Sequence, residues 1–493
     1  MIPLAGVAAV LCGMLFSTAD GQSRRRRDRD FDPIPPKSRV NPVHERLKQQ
    51  AKDAYAQGKH QRVIDLMNTV LRENPRDHFA YYYRGSARAD LGAAGRDAKL
   101  TRQGIADARQ AIALDGAKTA YYYLPYLYGM SNLTVIEGRK DHAETSVKVA
   151  DQVLRTAGLS STDKANFYYQ QGYAYKAMGK LDDAAKAFQS AIRNSRVHLA
   201  SHLEAANVYA LAGKTAEAKA QYDRAALTFS DNPLVFNLRG VFLQSQGKYA
   251  EAKDDFDTVI RLDRDSATGY LNRGFCWLGL GDAKAAERDF TESLRHNNRQ
   301  PLAYVMRARA RMAQSDTAGA TADNRAALRL NPKDADSHAQ LGFCLLFSGN
   351  PAEAIKSFDQ AVKLNAGLRY LSPWQFLALE RAGRKDEAFK RFEKELGKSA
   401  DDRNWGDSLL AFLAGKIDAK ALLAAVKQSD AGRKAAQTCE AHYFIGAKHH
   451  SAAETEPAQR HFKSALATNQ RQLSAYRGAE LALRKLPSPK TGM

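Results

Sequence analysis

The chain has 493 residues, of which 44% are hydrophobic, 26% charged and 9% aromatic. That balance is too apolar for a disordered polymer and too interrupted by charge for a multi-span membrane protein, and four cysteines exclude a disulfide-stapled scaffold. Lys and Arg number 74 against 54 Asp and Glu, a net +20, but the excess lies toward both ends and residues 201–300 are near neutral, so nucleic acid is not the expected partner.

Met1 to Phe16 is almost wholly apolar and too short to span a bilayer comfortably. Small residues follow at Ser17-Thr18-Ala19, with Gly21 as a second candidate for cleavage. Residues 1–21 therefore resemble a secretory signal peptide, and a periplasmic or secreted protein is expected. No basic residue precedes the apolar run and Arg24 to Arg27 follow it, so a tethered N-terminus or a cytoplasmic protein stays open. Residues 22–43, with mixed charge and Asp32-Pro33-Ile34-Pro35-Pro36, suit a flexible linker.

From residue 44 a period of 34 takes over. Small residues stand at Gly172, Ala206, Gly240, Gly274, Ala308 and Gly342. Seven positions after each comes Gly179, Gly213, Gly247, Gly281, Ser315 or Gly349, and five further on Ala184, Ala218, Ala252, Ala286, Ala320 or Ala354. Four more brings Phe188, Tyr222, Phe256, Phe290 and Phe358, with Asn324 the exception. Small residues on facing helices let two backbones approach, the turn residue takes a left-handed conformation, and the aromatic keeps one face apolar. One such hairpin cannot bury that face alone, so successive hairpins must stack.

These columns strongly resemble the tetratricopeptide repeat (TPR) of bacterial type. The resemblance implies an all-α fold, a right-handed α-solenoid of stacked helix-turn-helix hairpins. About ten units are expected over 44–400. The second and third are irregular: Gly85 and Gly92 are followed by inserted residues before Ala108 and Ala111, and a longer unit carries Gly138, Ala143 and Ala150. Residues 401–438 read as an irregular helical segment, 439–484 as a C-terminal repeat-like unit with Gly446, Ala458, Phe462 and Ala465, and 485–493 as a tail. Trp405-Gly406, Phe412 to Ile417, Cys439 to Gly446 and Gly478-Ala479-Glu480-Leu481 resemble the C-terminal part of NlpI-like envelope repeat proteins. That likeness implies an adaptor for an envelope protease or cell-wall enzyme.

Catalytic signatures are missing. The sequence has no Gly-x-x-x-x-Gly-Lys-Ser/Thr loop, no His-Glu-x-x-His and no Gly-x-Ser-x-Gly, so neither an enzyme nor a cofactor is expected. Cys439, His442 and His449, with His450 beside them, are weak metal candidates, since His442 and His449 fall where the 274 unit has the packing residues Tyr270 and Trp277. In the TPR family the first helices line a concave groove, which makes the inward stripe the candidate site for a peptide or partner helix. Three before and one after each small residue, that stripe holds Tyr82, Tyr169, Tyr173, Asn207, Asn237, Phe275, Arg309 and Phe343. Arg84, Arg239, Arg273 and Arg307 form a separate column, expected to bridge neighbouring hairpins through salt bridges.

Overall fold

The computed structural model describes residues 41–156, 158–426 and 430–486. The segments read as a signal peptide, most of the linker, and the tail after Leu486 lie outside the described residues. Every element among the described residues is helical, and the chain divides after Ser245 into two compact units.

The first unit starts at helix Pro42–Ala56, inside the stretch read as linker, where the Asn41 side chain accepts from the Val43 amide at 3.0 Å. Its irregular hairpin pairs His78–Gly95 with Ala98–Asp115, two 18-residue helices. The inserted residues lengthen both. Here glycine meets glycine: a Cβ on Gly104 would sit 2.9 Å from the Gly85 carbonyl and 2.9 Å from the Ala89 amide. The 3-10 turn Ala120–Tyr122 and helices Tyr123–Glu137 and Lys140–Leu154 follow, then the regular hairpin Ser161–Ala177 with Leu181–Asn194.

In regular hairpins the small column faces the aromatic column. A Cβ on Gly172 would lie 2.6 Å from the Phe188 ring, one on Gly274 2.6 Å from Phe290, and one on Gly342 2.5 Å from Phe358. At these three positions the ring occupies the space that a methyl group would need. Where the column holds Ala308, the opposing residue is Asn324, and no ring competes for that volume. The turn column adopts the expected left-handed backbone, with φ 77° at Gly179, 87° at Gly281 and 88° at Gly349. Ser315 takes φ 69° in the same role, at the cost an L side chain bears there.

The second unit carries the regular hairpins Ala267–Leu280 with Ala283–His296, Pro301–Ala313 with Thr317–Leu330, and Ala335–Phe347 with Pro351–Leu364. Beyond them the elements shorten to Ser372–Arg381, Lys385–Arg391, Glu393–Leu396, Trp405–Leu413 and Ala419–Ala424. The 21-residue helix Ala431–Ser451 then runs across the boundary read at 438/439. It pairs with Thr455–Ala467, and Gly446 faces Phe462 as in the regular repeats. Helix Ser474–Lys485 closes the described chain. It folds back on an earlier repeat: a Cβ on Gly478 would meet Tyr443 at 2.5 Å and Phe347 at 2.9 Å, and Lys485 Nζ donates to the Phe347 carbonyl at 2.9 Å. Lys485 therefore belongs to this helix and not to the tail.

Candidate functional site

Within each unit the residues read as a stripe lie on first helices of hairpins, and they occupy different environments. In the first unit Tyr82 is half-buried in a tyrosine group, 5.1 Å between ring centres from Tyr83 and from Tyr122 and 5.2 Å from Tyr121. Tyr169 packs on Phe188 and His198. Tyr173 donates its hydroxyl to Asn132 Oδ1 at 3.0 Å and lies against Tyr128. Asn207 donates to Glu204 Oε2 at 3.4 Å, the oxygen that also receives Lys176 Nζ at 2.6 Å. Asn237 is buried.

In the second unit Phe275 is half-buried, edge-on to Phe290 at 5.8 Å. Phe343 is 4% exposed, wedged among Phe347, Phe358 and Trp374. It is core, packed against Trp374 and Phe347. Arg309 is half-buried, and the only hydrogen-bond partner of its guanidinium among the described residues is the Met306 sulfur at 3.9 Å. Burial pushes its guanidinium below the ordinary value.

The other arginine column is built differently. Arg84 grips Asp107 with two nitrogens, at 2.9 and 2.7 Å, and reaches Asn68 at 2.8 Å. Arg273 forks onto Asp289 at 2.8 and 2.7 Å and onto Asp257 at 2.7 Å. Arg307 forks onto Asp323 at 3.0 and 2.7 Å, and Arg239 meets Asp223 at 2.9 Å. Each guanidinium also lies over the ring three positions earlier: Tyr81, Phe236, Tyr270 and Tyr304. Burial works to raise the Asp257 carboxyl, yet Lys253 and Arg273 together hold it below its ordinary value. These bridges tie first helices to second helices of their own and the preceding hairpin.

The metal candidates do not converge. Cys439 is buried, and burial, against a Thr468 hydrogen bond, pushes its thiol up to about 11. His442 instead meets His461, Nδ1 to Nδ1 at 2.9 Å, and His449 stacks on the same ring at 5.6 Å. One imidazole donates and the other accepts, so both cannot be charged in this arrangement. Burial, with His442 and His449 nearby, drives His461 down to about 4. Among the described residues no three His, Cys, Asp or Glu side chains are gathered as metal ligands.

Residues 169–233 and 240–301 match one tetratricopeptide-repeat family profile, and 325–356 match a second. These stretches are tetratricopeptide repeats (TPR). The matches end at residue 356 and leave the likeness of the last ninety residues to NlpI-like proteins without support. No curated protein matches the chain. Among solved structures it is similar to YrrB, a TPR protein with an unusual peptide-binding site, at 20% identity over 37% of this chain and 94% of that one, TM-score 0.33. PilF of Pseudomonas aeruginosa is similar at 21% identity over 42% and 94%, TM-score 0.37. A tetratricopeptide repeat protein of Parabacteroides merdae is similar at 20% identity over 49% and 93%, TM-score 0.37. No described helix of this chain is long and apolar enough to cross a membrane.

Two groups near the stripe escaped the sequence reading. Arg477 and Lys485 lie on helix Ser474–Lys485, which packs on Phe347 from outside the repeat frame. The signal that could have found them is Gly478-Ala479, a small pair that demands close packing on another helix.

Proposed function

We propose that this TPR protein is a non-catalytic scaffold that holds a peptide or helix of a partner along the inward face of its first helices. The observation that carries this is a set of half-buried groups on first helices, Tyr82, Tyr169, Tyr173 and Asn207 in the first unit and Phe275 and Arg309 in the second, which leave aromatic and polar edges open to a ligand. The apolar run Met1 to Phe16 followed by Ser17-Thr18-Ala19 supports export, which would make the scaffold an adaptor in the cell envelope. An envelope protease or cell-wall enzyme is the partner class the C-terminal likeness favours.

The test is affinity capture with the full-length protein after fractionation and N-terminal sequencing. A partner retained by the wild type and released by Phe275→Ala, with an N-terminus processed near Ala19 or Gly21, supports the reading. An intact Met1 end in soluble cytoplasm removes the envelope placement. Turnover of a peptide, glycan or nucleotide that a single substitution abolishes removes the non-catalytic reading.

A further inference from the structure

Three consecutive hairpins of the second unit share one register, and the middle one departs from its neighbours at four positions that close the helix pair. In the first, Phe275 lies edge-on to Phe290 at 5.8 Å, Gly274 leaves room for that ring, and Gly281 turns the chain at φ 87°. In the third, Phe343 lies edge-on to Phe358 at 5.1 Å, Gly342 leaves the room, and Gly349 turns at φ 88°. The corresponding residues of the middle hairpin are Arg309, Asn324, Ala308 and Ser315, so the ring pair of its neighbours is missing. The Asn324 side chain, 1% exposed, donates to the Ala320 carbonyl of its own helix at 3.0 Å and to Cys344 Sγ at 3.5 Å. Its Oδ1 has no partner among the described residues, and neither has the buried Oγ of Ser315, which holds φ 69° without the freedom of glycine. A core ring contact has been exchanged for an unmet acceptor and a strained turn, and both changes destabilise.

The tie that remains across this pair is polar. Asp323, 3% exposed, receives the Arg307 fork at 3.0 and 2.7 Å and Arg311 at 2.9 Å. The first hairpin has the same fork, Arg273 on Asp289 at 2.8 and 2.7 Å, in addition to its rings. We propose that hairpin Pro301–Leu330 is a hinge built into the second unit: helix Thr317–Leu330 opens from Pro301–Ala313 ahead of its counterparts, and Asp323 is the latch that closes it. Arg311 also reaches Glu287 at 2.9 Å and Gln314 reaches it at 2.7 Å, so helix Pro301–Ala313 stays with the preceding hairpin while Thr317–Leu330 moves. The opening is local, because each hairpin of a stacked array rests on its neighbours alone. The hinge concerns the motion of the array and holds whatever the inward face binds.

Amide hydrogen exchange of the full-length protein, read by mass spectrometry, compares the three second helices. In wild type the amides of 317–330 exchange faster than those of 283–296 and 351–364, by about tenfold or more. Asp323→Asn speeds exchange in 317–330 further, whereas Asp289→Asn, with Phe290 still in place, changes 283–296 much less. Two repairs act in the other direction. Ser315→Gly slows exchange in 317–330 by about threefold, and Ala308→Gly/Asn324→Phe, which rebuilds the ring against a glycine, brings it toward the rate of the flanking helices. Equal exchange of the three helices in wild type overturns the hinge. Exchange that neither repair slows overturns it as well, because the four exceptions would then not be its cause. Equal acceleration by Asp323→Asn and Asp289→Asn removes the latch and makes the Arg307 fork an ordinary structural tie.

Discussion

The repeats between Ser161 and Leu364 and the segment from Ser372 to Lys485 obey different rules about charge. In the repeats the interior arginines are matched except Arg309: Arg273 with Asp257 and Asp289, Arg307 with Asp323, Arg311 with Glu287. In the C-terminal segment more are left over, although Lys398 pairs with buried Asp407: Arg477 has no carboxylate at ion-pair distance among the described residues, His442, His449 and His461 share one contact, and Glu440 is half-buried against Trp405. The glycine-on-ring contact persists in both, at Gly274 on Phe290 and at Gly446 on Phe462. The packing frame is therefore one, and what changes is polar satisfaction. The repeats settle most of their charge internally, whereas unsettled charge, at Arg309 as in the C-terminal segment, marks surface shaped for something other than stacking.

The largest break in this comparison comes from damaging the shared frame. Ala286 is fully buried in the contact between helices Ala267–Leu280 and Ala283–His296, next to Phe290. Ala286→Glu forces a carboxylate into that contact and should cost about 4 kcal/mol or more, melting the local hairpin. Circular dichroism and limited proteolysis would register it, and cleavage confined to neighbouring hairpins is expected of a stacked array.

Next in size is the matched set itself. Arg273→Met leaves Asp289 buried and Asp257 half-buried with less cationic cover, and should destabilise by about 3 kcal/mol. The same substitution at Arg477 should cost nothing. Equal losses at the two positions would erase the distinction between the regions.

How much of this was legible in the sequence follows from what each signal encodes. The hairpins were, because Gly172, Gly179, Ala184 and Phe188 act through local packing and backbone conformation, and such constraints recur at a fixed period. The Arg84, Arg239, Arg273 and Arg307 column was readable for the same reason. The fate of Phe343 was not: its stripe position matches Phe275, but burial depends on Trp374, which lies beyond the regular repeats. Arg477 was equally hidden, since the helix that carries it packs on Phe347, more than a hundred residues away in the chain. His461 escaped because periodicity placed His442 on a packing face without naming what it packs against.

A smaller effect follows from the histidines. His461 is held down to about 4, below the ordinary value near 6.5, so the folded state keeps it neutral while the unfolded chain protonates it. Between pH 6.5 and about 4 the unfolded state binds more protons, and stability falls as the pH falls. About 1–2 kcal/mol should be lost across that window once solvent screening is allowed for. His461→Phe, which keeps a ring against His442 and His449, should flatten the profile of melting temperature against pH. A regular-repeat variant such as Arg273→Met should leave that part of the profile unchanged.

The smallest expected effect has the opposite sign. Glu440 accepts from Trp405 Nε1 at 2.7 Å, and burial, opposed by that hydrogen bond, raises its carboxyl above the ordinary value. The unfolded chain ionises this group at lower pH than the folded protein does, so the unfolded state binds fewer protons in the interval between them. Stability is therefore lost as pH rises through that interval, and the penalty persists at neutral pH. Glu440→Gln keeps an oxygen for the Trp405 donor and removes the desolvated charge. It should raise stability by about 0.5–1 kcal/mol at pH 7 and by nothing well below pH 4, where wild type is protonated as well. If Glu440→Gln instead destabilises at pH 7, a cation beyond those found here compensates the carboxylate, and the C-terminal segment settles its charges as the repeats do.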